Sequence, residues 1–250
     1  MTRLDITASV IPQKTLRQIL AIVAIATIAL SGCSPSSETD ATSAAPSDPS
    51  LPQLNGPAVV ELVINGGAVT VEVNGDYAPI TAGNFVDLVD KGVYDGVSFH
   101  RVVRQPEPFV VQAGDPQSTD PNFPEERLGT GSFTDPATGA PRYIPLEITP
   151  QGEDAPLYSQ PFSAAGITTP PQLPHIRGAV AMARSNFPDS ASAQFYIALS
   201  ELSFLDGEYA VFGYVGEDSM AVVEQIQQGD RIESARVVSG LDNLTYGGSK

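Results

Sequence analysis

The chain carries one cysteine, Cys33, two histidines, His100 and His175, and no tryptophan. A single cysteine excludes an internal disulfide, so packing and hydrogen bonds alone must hold the fold. Two histidines and one distant cysteine cannot build a zinc site, and they leave no persuasive Ser-His-Asp order. No metal and no cofactor are therefore expected. Basic residues are scarce: 13 Lys and Arg stand against 29 Asp and Glu, for a formal net charge of -16. Such a surface repels phosphate backbones, which excludes nucleic acid as a partner class. No Gly-x4-Gly-Lys-Ser/Thr loop is present, and no dinucleotide fingerprint opens a helix. Gly129-Thr130-Gly131 runs into Ser132-Phe133-Thr134 and reads as a turn. Carboxylates are plentiful, but nothing isolates a pair of them for acid-base work.

Long apolar runs are also few. The main one is residues 19–30 (ILAIVAIATIAL), preceded by Lys14 and Arg17. It is too short to span a bilayer as a permanent helix but suits the core of a signal peptide. It ends in Leu30-Ser31-Gly32-Cys33, which resembles a bacterial lipobox. That resemblance implies cleavage after residue 32 and lipidation of Cys33, with acyl chains holding the chain to a membrane. The next stretch, 34–56, is rich in Ser, Pro, Ala, Thr and Asp. It has too little apolar surface to offset its chain entropy, so 33–56 reads as a flexible tether. The expected organisation is a signal peptide at 1–32, the lipidated tether, and a folded domain at 57–250. The expected place is the periplasmic or lumenal face of a bacterial membrane.

Glycine and proline number 22 each, which favours a turn-rich β domain over a helical bundle. Residues 58–64 and 68–73 read as strands joined by Asn65-Gly66-Gly67, a hairpin signal. Further strands are expected at 97–103, 109–113, 143–148, 179–183, 193–199, 210–215 and 231–238. Residues 79–90 read as a helix, with Pro79 in its first turn and Gly92 as its stop. A second helix is expected at 219–228, from the spacing of Met220, Val223 and Ile226. The fold class is mainly β, as a closed eight-stranded antiparallel β-barrel capped by two α-helices. Residues 116–177 hold 12 of the 22 prolines and read as one long insertion.

One constellation carries chemistry. Phe99-His100-Arg101 is followed by Phe109-Val110-Val111-Gln112-Ala113-Gly114-Asp115. Then come Met182-Ala183, Gln194-Phe195-Tyr196-Ile197, Phe204-Leu205-Asp206-Gly207 and Val211-Phe212-Gly213. In order and spacing this resembles the cyclophilin family of peptidyl-prolyl cis-trans isomerases, from about residue 58 to 238. Tyr143-Ile144-Pro145-Leu146-Glu147-Ile148 and 229–234 look like its cyanobacterial and thylakoid-lumen branch.

The resemblance implies an enzyme that rotates Xaa-Pro bonds without a covalent step. Arg101, Phe109 and Gln112 match the family's catalytic positions. Val110, Ala183, Arg184, Gln194, Tyr196, Phe204, Leu205 and Tyr209 match positions that hold the substrate. The implied partners are proline-containing segments of exported proteins, and a monomer is expected. His100 reads as a buried structural histidine, since this chemistry needs no proton donor. Departures from the family are visible. Three extra residues lengthen the 102–108 link, and Ala113 replaces a glycine. Tyr196 replaces a phenylalanine, which would add a hydroxyl to the slot. Arg184 stands for an asparagine common in eukaryotic members, Phe204 for a tryptophan, and Tyr209 for a histidine. These keep open an alternative, a weakly active or inactive cyclophilin-like module that binds proline segments and assembles membrane complexes.

The lipobox reading has a direct test. Mass spectrometry of the chain made in a bacterial host is expected to find acyl groups on Cys33, and Cys33→Ser is expected to abolish both lipidation and cleavage.

Overall fold

The domain is organised around a hairpin. β2 (Pro57–Ile64) and β3 (Gly67–Asn74) pair antiparallel with Ile64 opposite Gly67, so the turn is Asn65-Gly66, both with positive φ. That is the geometry that matches strand twist in a two-residue hairpin. Ala58, Val60, Leu62 and Ile64 alternate inward, as do Val69, Val71 and Val73. In this computed structural model, residue 48 and residues 50–247 are described. The expected signal peptide, Cys33 and most of the tether lie outside them.

The remaining strands of the main sheet are β4 (Arg101–Val103), β5 (Val110–Ala113), β8 (Ala179–Met182), β9 (Phe195–Ala198), β10 (Val211–Val215) and β11 (Ile232–Ser239). Its order is β11-β2-β3-β10-β8-β9-β5-β4. The sheet curls but does not close, which corrects the expected closed barrel. β4 and β11 are its two ends, and they share no ladder. The segment before β4 instead meets the start of β11, with one bridge between Ser98 and Arg231. The bonds there, Phe99 N–H to Asp230 O at 2.8 Å and Ile232 N–H to Val97 O at 2.9 Å, stop short of β4. β4 is too short to continue the pairing.

α1 (Pro79–Asp90) forms where its apolar spacing and its first-turn proline place it. It buries Phe85 against Phe212, Tyr94 and Phe195, with ring centroids 4.8 to 5.4 Å apart. The expected second helix is shorter than the sequence suggests. α3 is only Met220–Val223, preceded by a 3-10 turn at Glu217–Ser219. After it, Gln225 and Ile226 bond three residues back, to Val222 O and Val223 O. Met220, Val223 and Ile226 recur every third residue, which is the period of a 3-10 turn, and all three are buried.

The tether also ends earlier than expected. β1 (Pro52–Leu54) pairs with β12 (Leu244–Tyr246), and both Leu51 and Leu54 are buried. β1 lies so close to α1 that a Cβ at Gly83 would stand 2.6 Å from Pro52 O. Glycine is required there by proximity, not by backbone angle.

The proline-rich insertion is anchored by two buried carboxylates. Asp115, fully buried, accepts N–H bonds from Gln117 (2.9 Å), Gly129 (2.7 Å) and Gly131 (3.1 Å). Glu147, fully buried, accepts from Ile80 N (3.1 Å) and Thr81 N (2.7 Å), the orphan donors at the start of α1. Burial pushes the Glu147 pKa up, and those N–H donors oppose the shift. Of the strand expected at 143–148, only β6 (Glu147–Ile148) is regular, pairing with β7 (Leu157–Tyr158). A short α2 (Phe162–Ala165) completes the insertion.

Glu147→Ala would leave two buried helix N–H groups without an acceptor. A loss of about 1–3 kcal/mol is expected in urea denaturation.

Candidate active site

The site is built on the outer face of the curled sheet. Along β5 and β9 the residues alternate between two apolar clusters. Val111, Phe195 and Ile197 face the main core, while Val110, Tyr196 and Ala198 face a second cluster. Ladder register then lines up one row. Arg101 is opposite Gln112, Gln112 is opposite Tyr196, and Tyr196 is opposite Ala181. Residues far apart in the sequence therefore share one face. The three extra residues of the 102–108 link leave this register intact. The Arg104 guanidinium docks the lengthened turn by donating to Glu224 O at 2.7 Å.

A polar chain crosses that row. Arg101 Nη1 donates to Gln112 Oε1 at 3.3 Å, Gln112 Nε2 to Gln194 Oε1 at 3.2 Å, and Gln194 Nε2 to Gly131 O at 2.8 Å. Arg101 is exposed, and its Cζ lies 5.5 Å from the Phe109 ring centroid. The guanidinium thus keeps most of its fork of donors for a ligand. Phe109, Leu205, Tyr209 and Ala183 pack on the cluster of Val110 and Tyr196, an apolar patch that would form the slot for a proline ring, with Arg101 against Phe109. Phe204 is 69% exposed and stacks on Phe109 at 6.1 Å.

One sequence expectation changes here. The Tyr196 hydroxyl does not enter the slot; it lies 2.9 Å from His175 Nε2, inside the protein. The Arg184 guanidinium is held within the chain, beside the cavity described next. It donates to Glu208 O through Nε and Nη2 (3.0 and 2.8 Å) and to Ser185 O through Nη1 (2.9 Å), with its Cζ 4.7 Å from the Tyr209 ring. Next to the apolar slot is a cavity of about 580 Å³, bordered by Gln112, Gln194, Ala183 and Arg184. Exposed Tyr143 and Phe187 stand at its rim, and no periodicity marks either of them as a site residue. His175 and Asp206 were likewise invisible as partners of the slot, because their meeting is purely tertiary. Among the described residues no cluster of His, Cys, Asp and Glu could hold a metal ion.

A model of cyclophilin type peptidyl-prolyl cis-trans isomerases matches residues 59–243, most of the chain. The chain belongs to the cyclophilin family. It is 42% identical over 207 residues to a putative thylakoid lumen peptidyl-prolyl cis-trans isomerase of Synechocystis, covering 79% of this chain and 51% of that protein. It is 40% identical over 184 residues to the chloroplastic isomerase CYP38 of Arabidopsis thaliana, covering 70% and 39%. This cyclophilin thus spans about half or less of the length of these two relatives. A crystal structure of a Cryptosporidium parvum cyclophilin type isomerase, determined with the dipeptide Ala-Pro, superposes with a TM-score of 0.52 at 23% identity. It covers 72% of this chain and 99% of that one, and shares the fold.

Burial lowers the pKa of both His100 and His175 below the usual value near 6.5. The unfolded chain therefore binds more protons than the native one once pH falls below that value. The stability that these neutral imidazoles contribute is complete above it and lost on acidification. Denaturation midpoints are expected to fall from pH 7 to pH 5, with a smaller fall in His175→Phe.

Proposed function

We propose that this cyclophilin catalyses cis-trans isomerisation of Xaa-Pro bonds in exported proteins, with Arg101 as the catalytic side chain. The reaction faces a barrier of about 18–20 kcal/mol set by amide resonance. No bond to the enzyme is needed; the twisted amide must only be bound better than either planar form. On twisting, the lone pair localises on the prolyl nitrogen, and a guanidinium donor positioned there lowers the barrier. The slot of Phe109, Tyr196 and Leu205 takes the proline ring. Gln112 aims Arg101 and, with Gln194, holds the peptide backbone.

The observation that carries this reading is the place of Arg101. It is an exposed guanidinium tied by one bond to Gln112 and poised at the apolar slot. Lumenal and chloroplastic relatives support an exported setting, and the lipobox at Cys33 supports a membrane anchor on the periplasmic or lumenal face. A second reading is a weakly active module that binds proline segments of membrane complexes. The engagement of the Arg184 guanidinium with Glu208 O and Ser185 O favours it, since that fork is withdrawn from a substrate.

In a peptide assay with Ala-Xaa-Pro-Phe, the native chain is expected to speed isomerisation and Arg101→Ala to lose roughly 100-fold in kcat/KM. Equal rates for the two would reject catalysis. Binding without acceleration, with co-purification of one membrane complex, would favour the second reading.

A further inference from the structure

Below the slot lies a hydrogen-bond chain that the isomerase mechanism does not use. The ring of His175 is fully buried. Its Nδ1 lies 2.8 Å from Asp206 Oδ1 and its Nε2 lies 2.9 Å from the Tyr196 hydroxyl. The backbone of His175 is tied to the same turn. Its N–H donates to Asp206 Oδ1 at 2.8 Å, and its carbonyl accepts from Leu202 N at 2.8 Å. Residues 202–206, which carry Phe204 and Leu205, are thus tied to His175, twice through its backbone and once through its imidazole.

The chemistry of the partners sets the direction of each proton. A carboxylate only accepts, so Nδ1 must carry the hydrogen. Nε2 is then an acceptor, and Tyr196 donates to it. Burial lowers the His175 pKa and keeps the ring neutral, while Asp206 opposes that shift. Arg184 and Tyr209 are the other ionisable groups near the Tyr196 end. The Tyr196 ring is also held from the other side by Tyr209, edge-on at 6.0 Å. One face of the slot (Tyr196) and the opposing turn (Leu205) are thereby fixed to the same residue.

We propose that His175 is a positioning residue: the chain Asp206–His175–Tyr196 sets the width of the proline slot by locking the 202–206 turn against the Tyr196 ring. This rests on the slot being where proline binds. It also gives the hydroxyl of Tyr196 a role that a phenylalanine at that position could not fill.

The test uses the full chain with Asp206→Asn, Tyr196→Phe and the double variant. Long-range 1H–15N spectra of the two histidines report the tautomer, and titration with a proline peptide reports the slot. The native His175 is expected to be protonated on Nδ1, unprotonated on Nε2, and neutral at a pH where a free imidazole is already charged. Asp206→Asn is expected to mix the tautomers and Tyr196→Phe to leave the hydrogen on Nδ1, and each is expected to weaken peptide binding about fivefold. KM should rise by a similar factor while kcat changes less. The double variant is expected to be no worse than either single one, because both break one chain. A native ring protonated on Nε2, additive losses in the double variant, or unchanged peptide affinity in both single variants would each overturn the proposal. The native spectrum decides even where Asp206→Asn does not fold. A native chain that binds the peptide but does not accelerate isomerisation would reject the catalytic reading and leave this one standing.

Discussion

The ladder register between β4, β5 and β9 is the constraint on which the site depends. Side chains on a strand alternate faces, so a slip of one residue would send Gln112 and Tyr196 into the core and bring Val111 and Ile197 out. The main core forbids that slip, because Val111, Phe195 and Ile197 pack there without exposure. Core burial and site geometry are in this way the same fact seen from two faces of one sheet. The apolar surface that stabilises the fold also fixes where the guanidinium stands.

Local signals made much of this legible. The Asn-Gly turn announced the β2–β3 hairpin, and Pro79 with the spacing of Phe85 and Leu88 announced α1. The Arg101-to-Gln112 spacing and the Gln194-to-Tyr196 motif pointed to residues that the fold does bring together. What escaped were features whose cause lies elsewhere in the chain. β1 sits in a polar, proline-rich stretch and orders only because β12, nearly two hundred residues later, pairs with it. The longer helix expected at 219–228 came from reading a three-residue repeat as an α-helical one. The closed barrel failed because strand counting says nothing about whether the first and last strands are long enough to meet.

Buried carboxylates do work in the insertion that a rigid core would otherwise do. Proline removes backbone donors and restricts the chain, so the 116–177 segment cannot be held by ladders alone. Asp115 gathers three N–H groups near its start, and Glu147 caps a helix near its middle. Through Gly131, whose carbonyl accepts from Gln194, the first of these anchors reaches the polar row of the site. A Cβ at Gly131 would sit 2.0 Å from Asp115 Oδ1, so that residue must be glycine for the anchor to exist.

The unclosed side of the sheet has a consequence for how this molecule behaves among its own copies. A bare outermost strand is a template for another chain, and extended, apolar ones seed fibrils and swapped oligomers. Here β4 is three residues long, begins with a cation, and runs into a turn holding Pro106 and Pro108, which offer no amide hydrogens. The arginine proposed for the reaction thus also makes this end of the sheet a poor template for another chain.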